Sequence, residues 1–344
     1  MHDELVKPIA VRVTRGAWYR TWRLVSLDGS TFDIADEKAN EEAFSRPGAS
    51  RGTSAYPQIR FVSLVENGTH VLFGSQMDSY RTGEITLAKT VLPRLAKGML
   101  CLADRSFFGF EIWKLARGTG ADLLWRMKKN MRMAHEKLLA DGSYLSRVYP
   151  SERDWRHKTN GIVLRVIDYR LEGIEGSDPI YRLATTILDP GKAPAGELAA
   201  LYHERWEIET AFDELKTHLR GAHIVLRSKT PDLVRQEFYG LMMAHFAIRG
   251  LMHEAALKAD KRSRQALVPS RGARNSAQAQ RLRCYSQLSR GEHFITRFWT
   301  RSYQERVVSS RNRRNPCGVK RKMSNFPSAR ATSTLAYDGH SQGH

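Results

Sequence analysis

Tyr202, Arg205, Glu209 and Lys216 stand in the segment LYHERWEIETAFDELKTHLRG at the offsets Y-x2-R-x3-E-x6-K. On an α-helix, which turns about 100° per residue, those four side chains share roughly 60° of arc. Leu201, Ile208, Phe212, Leu215 and Leu219 form an apolar stripe displaced from them by roughly 75°. One edge of such a helix packs inward, and the next presents a carboxylate among two cations and a phenol. That combination suits holding a divalent metal beside phosphate oxygens. Charged residues three or four apart more often make a solvated face with weak ion pairs, so the spacing alone does not decide.

A metal site of that kind needs further acids, and two stand at the ends of predicted strands. RTWRLVSLD (20–28) reads as a strand ending at Asp28 before Gly29, and MLCLAD (99–104) as a short apolar strand ending at Asp104. Between them, QIRFVSLVENGTHVLFGSQM is β-like on both sides of Asn67-Gly68, a hairpin turn signal. The spacing predicts helices over 84–97 and over FGFEIWKLARGTG, with the strand ADLLWRM following. From about 129 to 190 the pattern is β-rich, in SYLSRVY, GIVLRVIDYRLEG and PIYRLATTILDP. The helix bearing Glu209 comes next, then an apolar, buried helix over RQEFYGLMMAHFAIRGLMHEAALK.

Strand, hairpin, strand–helix–strand and late helix predict an α/β fold. Its core is a ribonuclease-H-like mixed sheet flanked by helices, with a β-rich insertion before the last catalytic helix. The expected organisation is a first core part over 1–128, the insertion over 129–190, a last core part over 191–258, and a basic, poorly packed tail over 259–344. Neighbouring strands lie about 4.8 Å apart, so such a sheet can bring Asp28 and Asp104 together and a helix packed on it can add Glu209. Three clustered carboxylates repel unless a cation neutralises them. Two Mg²⁺ ions about 3.5–4 Å apart would do so, and would activate a water or 3′-hydroxyl and stabilise the leaving oxygen of an in-line displacement.

Charge narrows the partner. The chain has 344 residues, a formal net charge of +19 and a pI near 10.1, which favours nucleic acid. Residues 261–344 carry 18 Lys/Arg against 3 Asp/Glu, so the basicity belongs mainly to the tail. Cys101, Cys284 and Cys317 are widely spaced, against a zinc site or disulfide framework, and the twelve His show no metal-binding spacing. With no signal peptide and no apolar run of membrane-spanning length, the expectation is a soluble cytoplasmic protein, nucleoid-associated in a bacterium.

The blocks LDGSTFD (27–33), LADRSFFGFEIW (102–113) and YHERWEIETAFDELK (202–216) resemble the three catalytic blocks of DDE transposases of the insertion element 4 family. RPGASRGTSAYPQIRFVSLVE (46–66) and RRNPCGVKRKMSNFP (313–327) are also similar to segments of that family, and the likeness covers roughly residues 18–258. The resemblance implies Asp28, Asp104 and Glu209 as the catalytic, metal-binding triad. It implies Tyr202, Arg205 and Lys216 as holders of DNA phosphates, Mg²⁺ as cofactor with Mn²⁺ able to substitute, and assembly of an oligomer on DNA. The implied activity is phosphodiester hydrolysis and strand transfer at transposon ends. A non-catalytic DNA-binding remnant and a metal-dependent nuclease on the same fold are the alternatives.

Rival residues stand close by. Asp33 and Asp36 follow Asp28, and the DG motif favours Asp28; Asp213 lies one turn after Glu209, which alone fits the family spacing. Arg105 reads as a surface residue or a DNA contact, Trp206 as an anchor of its helix, and Trp125 as strand core beside Lys128 and Lys129, which could meet a phosphate. Family members usually carry an N-terminal end-recognition domain, and only 27 residues precede Asp28. The expectation is a truncated start, or DNA recognition elsewhere. Residues 260–310 lack a family-like pattern, and compensating frameshifts fit that loss together with the jump in charge. Ser106 stands where the family commonly has Gly, a change of small expected effect.

Overall fold

The computed structural model describes residues 2–49, 52–53, 56–128, 130–131, 133–169, 180–218 and 225–258. Lys129, Leu219 and the expected basic tail lie outside the described residues. Strand β1 (Trp22–Asp33), β2 (Gln58–Glu66) and β3 (Val71–Ser79) form an antiparallel meander. Helix α1 (Glu84–Val91) leads to β4 (Met99–Ala103), and α2 (Phe110–Gly118) leads to β5 (Asp122–Arg126). Strand β4 pairs with β1 in parallel, and β5 pairs with β4 in parallel. The resulting order, β3-β2-β1-β4-β5, is the mixed ribonuclease-H-like sheet expected from the sequence.

The β-rich stretch continues the same sheet. Strands β6 (Tyr144–Val148), β7 (Ile162–Tyr169) and β8 (Tyr181–Thr185) form a second antiparallel meander, and β8 pairs antiparallel with β5. An apolar strand such as β5, fully buried at Leu123, Leu124 and Trp125, would otherwise expose an edge open to unwanted pairing. With two short strands at its rim, the sheet has ten strands among the described residues.

The hairpin turn falls where Asn67-Gly68 predicts it, but its loop is four residues, Asn67 to His70. Gly68 (φ +82°) and His70 (φ +60°) are left-handed, and a Cβ on Gly68 would sit 2.7 Å from the Ala17 nitrogen. Glycine is therefore demanded twice here, by backbone conformation and by the close approach of another segment.

Two corrections concern the elements nearest the candidate acids. Strand β1 does not stop at Asp28; it runs through Gly29 to Asp33, because β2 stays paired with it along that whole length. What ends at Leu27 is its parallel partner, whose last paired residue is Ala103. The segment bearing the Y-x2-R-x3-E-x6-K spacing is not one regular helix. It comprises α3 (Ala195–Tyr202), a 3₁₀ turn over His203–Arg205, α4 (Trp206–Asp213) and a π turn over Glu214–His218.

Helix α4 packs on the sheet through Ile208, Ala211 and Phe212, and the π turn through Leu215; they join Phe32, Phe61 and Phe238 in one core cluster. The Phe61 and Phe212 rings meet edge to face at 5.3 Å. Each such buried side chain stabilises the docking by about 1.5–3 kcal/mol. The last helix, α5 (Pro231–Lys258), is not buried all round. It buries one stripe, Val234, Phe238, Met242, His245, Arg249, Met252, His253 and Ala256, in which polar residues take over towards its C-terminal end. No helix among the described residues is long and apolar enough to cross a membrane.

Candidate active site

Period-2 alternation decides which face of the sheet each acid takes. Val25 and Leu27 enter the core shared with α1 and α2, while Leu24 and Leu102 enter the one shared with α3. Asp28 therefore belongs to the face covered by the Glu209 segment, and the same parity places Asp104 there, two residues after Leu102. Leu27 and Ala103 are the last paired positions of the parallel strands β1 and β4. Asp28, inside β1 just past the point where its parallel partner stops, and Asp104, the first residue after β4, are therefore neighbours where that parallel pairing ends.

Arg205 joins the strands to the helix. Its guanidinium donates to Asp28 Oδ2 at 3.2 Å and to Glu209 Oε1 at 3.3 Å. Burial works against its charge, and Tyr202, Asp28, Asp104 and Glu209 more than offset that, so its pKa is held above the usual value. Lys216 reaches the Ser30 hydroxyl on the same face of β1. Asp28, Arg205, Glu209 and Lys216 are thus brought together, with Asp104 beside them.

Tyr202 is placed differently from the expectation. It is buried and its hydroxyl donates to the Ala103 carbonyl at 3.3 Å. A phenol carries one proton, so in this position Tyr202 has none to give a phosphate. It ties α3 to the end of the Asp104 strand instead. Trp206 is also corrected: it is 40% exposed and does not anchor the helix, a task that falls to Ile208 and Phe212. Trp125 is fully buried against Trp113, as read.

The rivals of Asp28 have other partners. Asp33 accepts from Gln58 Nε2 at 2.7 Å, and Asp36 pairs with Arg46. Asp213 is exposed, whereas Glu209 shares Arg205 with Asp28. Arg105 and Lys128 are exposed and, with Asp104, Ser106 and Asn130, line an open cleft of about 630 Å³.

One acid at the site escaped the sequence reading. Glu84, first residue of α1, packs its carboxyl group against Gly29, where a Cβ would lie 3.0 Å from Glu84 Cδ. Burial pushes the Asp28 carboxyl up to about 6; Arg205 and the Gly29 N–H oppose the shift, while Glu84 and Asp104 add to it. No spacing rule could have found Glu84, since it comes from a helix whose only link to Gly29 is tertiary.

The donors are all carboxylate oxygens, the set that hard cations such as Mg²⁺ prefer. The donor chemistry therefore fits a divalent cation. The cage expected from the sequence is not closed, however. Among the described residues, no three Asp, Glu, His or Cys side chains are grouped so that they could hold one ion. The physical reason is Arg205, to which Asp28 and Glu209 each turn.

Comparison with known proteins bears on this geometry. Residues 22–247 match the family model described as Transposase DDE domain. Transposase InsG for insertion sequence element IS4, from Escherichia coli (strain K12), is 26% identical over 239 residues, covering 68% of this chain and 53% of InsG. The putative transposase InsZ of the same organism is 25% identical over 130 residues, 38% of this chain and 43% of InsZ. The chain thus spans about half the length of the curated relatives it matches. A cryo-EM structure of the piggyBac transposase synaptic complex with hairpin DNA overlaps 84% of this chain and 59% of its own at 10% identity and a TM-score of 0.43, too loose a likeness to inform the site. The matched segment begins with β1 and ends within α5, enclosing every residue of the site, and the chain belongs to the transposase DDE domain family, in its IS4 group.

Proposed function

We propose that this chain is an insertion-sequence transposase that cleaves phosphodiester bonds at transposon ends and joins the freed 3′-hydroxyl to target DNA, with Mg²⁺ as cofactor. The observation that carries the reading is Arg205 linking Asp28, on the central strand, to Glu209, on the covering helix, where the parallel pairing of β1 with β4 ends. Asp28 and Asp104 would hold the metal, with Glu209 as third ligand, and Mn²⁺ would substitute. Bound Mg²⁺ supplies activation of the attacking oxygen and charge stabilisation at the leaving one.

The protein's own residues bind and orient the DNA. Arg205 presents a planar fork suited to two phosphate oxygens and would exchange its carboxylate partners for a phosphate. Lys216 supplies a point charge on the same face, near Ser30. Arg105 and Lys128 rim the cleft that opens beside Asp104, a path for the phosphate backbone. Partner and assembly follow from that reading: transposon-end and target DNA, held by more than one copy of the chain.

The test is a nicking assay on a 5′-labelled duplex carrying a candidate transposon-end inverted repeat, with an unrelated duplex beside it. Mg²⁺-dependent nicking at the repeat end, abolished by Asp28→Asn, Asp104→Asn and Glu209→Gln, is the expected result. Binding without cleavage at any Mg²⁺ or Mn²⁺ concentration would leave a DNA-binding remnant, and equal cleavage of unrelated DNA a nuclease. Either would overturn the proposal.

A further inference from the structure

A second polar cluster, on the far rim of the Glu209 helix, takes no part in the reaction proposed above. His70, in the hairpin turn between β2 and β3, is 2% exposed. Its Nε2 lies 2.6 Å from Glu207 Oε2 and its Nδ1 3.0 Å from Glu214 Oε1. Glu214 Oε2 in turn accepts from Arg249 Nη1 at 3.3 Å, and Arg249 Nε donates to the Thr69 carbonyl at 2.6 Å. Asn67 Nδ2 donates to the Glu204 carbonyl at 3.2 Å. Three residues of one turn therefore grip the segment 204–214 and the helix behind it.

The placement around the helix axis gives this cluster its meaning. At about 100° per residue, Glu207 and Glu214 fall within roughly 20° of each other, and Glu209 lies roughly 160° from Glu207. The apolar stripe of Ile208, Ala211, Phe212 and Leu215 runs between the two rims and faces the sheet. One rim carries Arg205 and Glu209; the other is clamped by His70. An apolar stripe on a sheet resists lifting better than rolling, because dispersion contacts have little directionality. Directional bonds on one rim stop the roll.

We propose that His70, held between Glu207 and Glu214, is the positioning residue that fixes the rotation of the Glu209 helix and thereby aims Glu209 at Asp28 and Asp104. This inference rests on the phosphoryl-transfer reading above. The electrostatics agree with the geometry. Burial works against a charged His70 ring, yet Glu214 and Glu207 outweigh it and raise its pKa. Burial would raise the Glu214 pKa, but Arg249 and His70 bring it down to about 2. His245, beside them, is pushed down to about 3 by burial and Arg249, and so stays neutral. The cluster thus holds charges of both signs in mutual compensation. The π turn begins at Glu214, where the clamp grips the chain.

The leverage can be estimated. A side-chain tip on a helix lies about 5–6 Å from the axis, so a roll of roughly 10° moves the Glu209 carboxylate about 1 Å. A displacement of that size at a reacting centre costs up to about 100-fold in rate.

The experiment compares the full chain with His70→Ala and His70→Gln, the second keeping a side-chain donor in place of the ring. Amide hydrogen exchange is followed without metal over residues 206–216 and over β6–β8, and steady-state nicking of the labelled repeat duplex is measured. For His70→Ala, exchange over 206–216 should quicken at least tenfold with β6–β8 unchanged. Its kcat should fall about 10- to 100-fold with KM for DNA within about twofold, and His70→Gln should recover most of both. Unchanged exchange over 206–216, a loss confined to KM, or a His70→Gln variant as impaired as His70→Ala would overturn the inference. If the parent chain does not nick DNA at all, the functional proposal fails, and the exchange comparison alone decides the role of His70.

Discussion

Replacing Asp28 by Asn should make the metal-free protein more stable at neutral pH while removing its chemistry. Asp28 ionises at about 6 when folded, against an ordinary 3.8, because burial and neighbouring acids outweigh the help of Arg205. The sign follows from linkage. Below pH 4 the carboxyl is protonated in both states and adds no penalty. Between pH 4 and 6 the unfolded chain ionises freely and the folded one does not, so stability drains away as pH rises; above 6 the deficit is constant. At about 1.4 kcal/mol per tenfold change in acidity, the gap amounts to about 3 kcal/mol. The side chain is 23% exposed, so solvent screening reduces this, and about 1–3 kcal/mol is expected. Asparagine keeps an acceptor for Gly29 and Arg205 without the buried charge. Urea unfolding in EDTA at pH 4, 5, 6 and 7.5 measures the difference, which should be near zero at pH 4 and reach its plateau above 6. Added Mg²⁺ should stabilise the parent and not the variant. An Asp28→Asn chain less stable than the parent at pH 7.5, or a difference independent of pH, would rule out a buried-charge penalty at Asp28.

Gly68→Ala should destabilise the fold by more than about 2 kcal/mol, since a Cβ at φ +82° would lie 2.7 Å from the backbone of Gly16 and Ala17. Gly142→Ala is the control: at φ +81° with open space around it, it should lose only about 1 kcal/mol, both read from urea midpoints. Asp141→Ala should cost about 3–5 kcal/mol, because it strands the fully buried Arg165, which pairs with Asp141 and also donates to the Ala193 carbonyl at 2.7 Å. Thermal unfolding measures that loss, and the double replacement Arg165→Met with Asp141→Leu should recover most of it.

Sequence periodicity carried the architecture because strands β1 to β8 are apolar runs bounded by turn residues, and their order follows from simple connections. The place of Asp104 just past the end of β4 was legible for the same reason. What periodicity could not carry is pairing between distant segments. Strand β1 outruns Asp28 because β2 supports it to Asp33, a fact of the partner and not of the residues 29–33 themselves. The Glu209 segment changes winding at 203 and at 214, where contacts from the hairpin turn at Asn67 and His70 grip it. Glu84 and His70 carry no motif, and each matters only through what lies across from it. Trp206 looked like core by residue type, and the helix turns it outward.

The most direct test of a metal held by Asp28 and Asp104 is a crystal structure of the chain with Mn²⁺, located by its anomalous signal. The expected result is a peak within coordination distance of carboxylate oxygens of both Asp28 and Asp104, with Glu209 drawn in and the Arg205 guanidinium released from Asp28. Saturating Mn²⁺ bound only at other residues, with the Asp28–Arg205–Glu209 bridge intact, would contradict it.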